Sequence, residues 1–188
     1  MAGLDPAIYL GEMRGSSPRM TTLQSTAIKR CLADSRPMIT AHDIIKTLSL
    51  APLPMEGGYY AETYRSAFGT AIYYLLTADS FSAMHRLPGD EIFHFYLGDP
   101  VEMLQLRPDG TGEVLILGPD ILRGMRLQTV VAGGVWQGAR LAAGRSFALM
   151  GTTMAPGFDF ADYVSGDAAQ LCAAYPQHAE RIKGLTRT

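Results

Sequence analysis

The stretch Ser82–Gly98, S-A-M-H-R-L-P-G-D-E-I-F-H-F-Y-L-G, decides the fold. Residues 81–87 read as one short strand and 91–98 as another, with Leu-Pro-Gly-Asp between them. Strict alternation in the second strand puts Glu91, Phe93, Phe95 and Leu97 on one face. Ile92, His94 and Tyr96 fall on the other. Asp90, at the start of this strand, reads as a turn or capping residue.

The same texture extends both ways. Y-Y-A-E-T-Y follows Gly57-Gly58, with Tyr60, Glu62 and Tyr64 on one face by alternation. Residues 71–78 form an apolar, aromatic strand, and 91–98 pairs with 101–110 as a hairpin. Further strands follow at 113–118, 127–141 and 147–155. Strands recurring about every 8–12 residues, with turn residues between them, predict an antiparallel sandwich or barrel. No crossover helices separate them, which disfavours a parallel α/β sheet.

Helices are expected only at the ends. Thr40 can cap a helix, with Asp43 three residues on as a capping-box partner and Ile44, Ile45 and Leu48 on one face. His42 in its first turn reads as a solvated histidine. Residues 168–175 and 177–185 form the helical tail, with Pro176 at a helix start. Residues 1–36 are a weakly patterned extension, with a loop at Gly15–Pro18 and a short helix over 22–33, and 37–188 a single domain.

Composition excludes several functions. The chain has 188 residues, 47% hydrophobic and 18% charged, which argues against wholesale disorder. Twenty glycines and eleven prolines exceed the usual share of about 12% and call for many turns. A net charge of −2 gives no field for nucleic acid. Cys31 and Cys172 form no CxxC and read as reduced thiols. There is no run long enough for a membrane span and no signal-peptide pattern, so the cytoplasm is the expected compartment.

Ser82–Gly98 resembles the first signature of the cupin superfamily, G-x5-H-x-H-x3,4-E-x6-G. Glu91 and Gly98 match its second half, and His85 fits one histidine position if the turn is one residue longer. Ala83 occupies the other. In the second signature, Gly134 is kept while Ala132 and Gln137 replace a proline and a histidine. Longer stretches, E-G-G-Y-Y-A-E-T-Y-R-S (56–66), T-A-I-Y-Y-L-L (70–76), 84–106, 127–141 and M-A-P-G-F-D-F-A-D-Y (154–163), resemble the cupin-5 type family, long a domain of unknown function. The resemblance spans about residues 40–185. It implies a mainly β double-stranded β-helix, or jelly roll, with helices at both ends, and a homodimer. Distant relatives include the dTDP-4-dehydrorhamnose 3,5-epimerases, which bind nucleotide sugars without metal.

His85 and Glu91 are the candidate catalytic pair, with a hydrogen-bonded polar pair inside a barrel as the rival reading. Gln137 replaces an expected histidine ligand and is a weak ligand itself, so no metal or other cofactor is expected. Arg65 and Arg86 can grip phosphate, with surface ion pairing as the rival. Tyr60, Phe93 and Trp136 can stack on a base or sugar, with core packing as the rival for Trp136. Gln128 and Gln137 are polar residues in apolar strands, and a buried amide needs partners. His94 lines the site only if a bulge turns it inward. These residues predict a small phosphorylated, nucleotide or nucleotide-sugar ligand, with epimerase or isomerase chemistry. A sensor module without catalysis and a metal-dependent cupin enzyme are the alternatives.

Overall fold

Thr40 starts the first helix as its hydroxyl suggests. In the computed structural model, which describes residues 38–142 and 146–187, Thr40 Oγ1 accepts from Asp43 N at 3.2 Å. The Asp43 carboxylate in turn accepts from Thr40 N at 3.0 Å. This closed capping box begins α1 (Ala41–Thr47), where Ile44 is buried and His42 exposed. The loop at Gly15–Pro18, the helix over 22–33 and Cys31 lie outside the described residues.

Eleven strands follow among the described residues: β1 (Ala51–Pro52), β2 (Tyr59–Arg65), β3 (Thr70–Thr77), β4 (Phe81–Arg86), β5 (Glu91–Gly98), β6 (Val101–Leu106), β7 (Gly112–Leu117), β8 (Gln128–Val131), β9 (Trp136–Leu141), β10 (Phe147–Met154) and β11 (Val164–Ser165). They form two antiparallel sheets, ordered β1-β2-β3-β10-β5-β8 and β11-β4-β9-β6-β7. The inner faces meet in a core that includes Tyr74, Leu76, Phe93, Phe95, Met103, Leu117, Val131 and Met150. The outer face of the five-stranded sheet carries Met84, Leu104 and Leu106. The helical tail, α2 (Ala168–Ala174) and α3 (Ala179–Gly184), covers them with Leu171 and Ile182. On the six-stranded sheet, Ile44 of α1 packs near Leu75, Phe147 and Leu149. From Ile39 onward the chain forms one compact unit.

Three details depart from the sequence reading. β5 and β6 do not form a hairpin. β5 lies between β10 and β8, and β6 between β7 and β9, so Asp99-Pro100 carries the chain from one sheet to the other. Residues 127–141 likewise divide into β8 and β9, in different sheets. Between them Gly134 takes φ +80°, and Gly133 N–H donates to the Asp90 carboxylate at 2.8 Å. The third departure is a bulge in β2. Glu62 pairs with Ile72 but Tyr64 with Ala71, so Thr63 is the extra residue. Tyr64 therefore turns out to solvent, and Arg65, opposite Thr70, turns inward.

Candidate functional site

A polar row crosses the inner face of the five-stranded sheet. His85 of β4 is the register partner of Gln137 of β9, which is the partner of Gln105 of β6. All three are buried. Glu91 reaches toward them from the opposite sheet, and Gln137 Nε2 donates to its Oε2 at 2.7 Å. A second carboxylate, Glu56, comes from the loop before β2. There Gly57 and Gly58 take φ of +106° and +70°, making a bend and not a phosphate loop. Ala83 N–H fixes this loop by donating to the Glu56 carbonyl at 2.9 Å, and the Tyr74 hydroxyl by donating to the Gly57 carbonyl at 3.0 Å. Ser82 Oγ donates to Glu56 Oε1 at 2.7 Å.

His85 Nδ1 lies 2.8 Å from the Ala83 carbonyl, which can only accept, so Nδ1 carries the proton. The other ring nitrogen, Nε2, faces Glu56 Oε2 4.0 Å away. The Tyr163 ring stacks on His85 with centroids 4.9 Å apart and planes 18° from parallel. Two buried polar atoms here have no hydrogen-bond partner among the described residues: Gln137 Oε1 and the Tyr163 hydroxyl. Burial pushes the Glu91 carboxyl up from its ordinary value, and the charge of Glu56 pushes the same way. His85, Gln137 and Thr152 pull against them. Burial, then Glu56, also raises the Tyr163 phenol well above its usual range.

A cavity of about 180 Å³ opens beside this cluster. Glu56, Glu91 and Thr152 line it with Leu53, Tyr60, Glu62, Arg65, Phe158 and Phe160. The Arg65 guanidinium grips Glu62, Nε and Nη2 to the carboxylate at 2.7–3.0 Å, and Nη1 donates to the Phe158 carbonyl at 3.1 Å. The β2 bulge thus supplies the arginine that holds the aromatic loop over the cavity.

The structure brings together Tyr60, Arg65 and Glu91 as cavity wall, with Gln137 behind Glu91 and His85 beside Glu56. It does not bring in the others. Phe93 is buried in the core between the sheets. His94 stays on the outer face, as β5 alternation requires. It accepts from the Gln128 amide at 3.0 Å and lies 3.2 Å from Thr153 Oγ1, so Gln128 is outside as well. The Arg86 guanidinium covers Trp136 at 4.8 Å, and Trp136 packs against the cluster beneath the helical tail, outside the barrel. Among the described residues the expected phosphate grip therefore reduces to Arg65, already engaged by Glu62. Sequence reasoning missed Glu56 and Tyr163. Both lie in quoted stretches, 56–66 and 154–163, but at irregular positions where no periodicity marks a direction. Among the described residues no three His, Cys, Asp or Glu side chains converge as metal ligands. The cupin ligand positions hold His85, Glu91, the amide of Gln137 and Ala83, a set short of the usual histidines.

This barrel, with its polar row and capped cavity, defines a cupin. The chain belongs to the cupin superfamily family DUF985, whose model matches residues 42–165. A hypothetical protein from Leishmania major is 33% identical, with a TM-score of 0.74 over 80% of this chain and 100% of that one. A Shewanella oneidensis protein is 34% identical, with a TM-score of 0.75 over 80% of this chain and 99% of its own. Oxalate decarboxylase of Bacillus subtilis shares the fold at 11% identity and a TM-score of 0.51, over 73% of this chain and 38% of that one. No curated protein matches the chain.

Proposed function

We propose that this cupin binds a small sugar-like ligand in the cavity and shifts a proton on it, as an epimerase or isomerase does. The observation that carries the reading is the carboxyl pair Glu56 and Glu91 on the wall of a cavity that also presents Tyr60, Phe158 and Phe160. Aromatic faces suit the C–H faces of a sugar ring, and carboxylates suit its hydroxyls. A carboxyl raised by burial exchanges a proton nearer to neutrality, which suits Glu91 as the acid–base group. His85 acts through Glu56 as a positioning residue, its tautomer fixed by the Ala83 carbonyl. A nucleotide sugar enters this reading through its sugar half. The test is incubation in deuterated water with a panel of free and nucleotide-linked sugars, followed by proton NMR. Wild type should place deuterium at a carbon beside the carbonyl of one panel member, and Glu91→Gln should lower that rate by about 10²-fold or more. Binding without exchange by wild type would overturn the catalytic reading and leave a sensor.

A further inference from the structure

The cavity is rich in acceptors and short of donors. Of the charged residues lining it, Glu56, Glu62 and Glu91 are acidic and Arg65 is basic. Arg65 is committed to Glu62, so two carboxylates have no cationic partner on the cavity wall. His85 Nε2 lies 4.0 Å from Glu56 Oε2, beyond hydrogen-bond reach, so it does not answer that oxygen. Gln137 gives its N–H to Glu91, which leaves its Oε1 buried and unpartnered in a side chain only 2% exposed. A buried acceptor without a donor is destabilising, and two carboxylates in one site repel.

From this set of acceptors without a cation we infer that the ligand is a polyhydroxylated amine, an amino-sugar-like compound whose ammonium group lies against Glu56 and Glu91, and that a phosphate on the bound ring itself is rejected. The inference rests on the sugar-binding reading above and sharpens it. An ammonium brings three N–H donors and a positive charge to the place that lacks both. A phosphate brings the opposite, and Arg65, the cation on the cavity wall, is held by Glu62. The 180 Å³ cavity suits a ligand of about one sugar ring.

The test is calorimetry on the full chain near neutral pH with glucosamine, glucose and glucose 6-phosphate, alongside ethanolamine and inorganic phosphate. Glucosamine should bind at least tenfold more tightly than glucose, and glucose 6-phosphate weakest. Glu56→Gln and Glu91→Gln should each narrow the gap between glucosamine and glucose about tenfold, with melting curves confirming that both variants fold. Glucose 6-phosphate binding as tightly as glucosamine would overturn the charge preference while leaving the sugar reading in place. Binding of ethanolamine with no hexose bound would overturn the sugar reading and keep the cation preference. Silence from every probe overturns both.

Discussion

Glu91 illustrates how a single buried carboxyl sets a pH limit. Its folded form holds a proton more tightly than the unfolded chain, whose carboxyl titrates near the ordinary 4.5. The folded state therefore binds more protons between the two values. Stability is fully present below the ordinary value and falls as pH rises through the raised one. Glutamine in its place has no charge to bury and can still hydrogen-bond the Gln137 amide. Glu91→Gln should melt about 2–4 °C above wild type near pH 8, and show no gain near pH 4. A gain near pH 4 that vanishes near pH 8 would mean that Glu91 is an ionised, stabilised group. A second expectation concerns Gly133, where an added Cβ would run into the Pro88 carbonyl. The contact is with backbone, which cannot rotate away. Gly133→Ala should cost more than about 2 kcal/mol in urea unfolding and loosen the Asp90 turn. A cost under about 0.5 kcal/mol would show that the turn has room to give.

At the scale of elements, the β2 bulge decides what reaches the cavity. Deleting Thr63, the extra residue, would remove the bulge while keeping Tyr64 out and Arg65 in. Amide exchange at Phe158 should then stay as in wild type, whereas Arg65→Ala, which removes the guanidinium from the Phe158 carbonyl, should quicken it. Unchanged exchange in Arg65→Ala would mean that the loop is held by Thr70 Oγ1, which accepts from Phe158 N at 3.0 Å. This is also where sequence reading reached its limit. Strand positions were legible from 70 to 155 because alternation and turn residues are local signals. The outward direction of His94 followed from the same alternation. The bulge was invisible because nothing in Glu62-Thr63-Tyr64 marks which residue is extra. The β5–β6 hairpin misled because Gly98-Asp99-Pro100 reads as a tight turn, while the partners that claim both strands are distant in sequence. Glu56 was illegible for a related reason. Its direction is set by the two left-handed glycines after it and by Ala83, 27 positions away in the chain.

The two sheets of the molecule are dressed differently. The five-stranded sheet is sealed by α2 and α3, and one part of the six-stranded sheet by α1. The rest of that sheet, with Tyr96 and Val130 each half exposed beside His94 and Gln128, is covered by nothing among the described residues. The homodimer expected from the family resemblance has its natural seat there. Light scattering at micromolar concentration should give about twice 20.4 kDa for wild type. Val130→Asp should bring this to about the single-chain mass without loss of strand signal in circular dichroism. A wild-type mass of one chain would refute the dimer. The uneven dressing also bears on how far association can proceed. A protein with two unsealed faces on opposite sides offers a head and a tail, and copies can add without end into a filament. In the expected homodimer, with the tail helices spent on one side, the other side would meet its own likeness across a two-fold axis. Growth would then end at the first union, with no site left for a third copy. In such an assembly α2 and α3 would act as a terminator as well as a cover for Leu104 and Leu106.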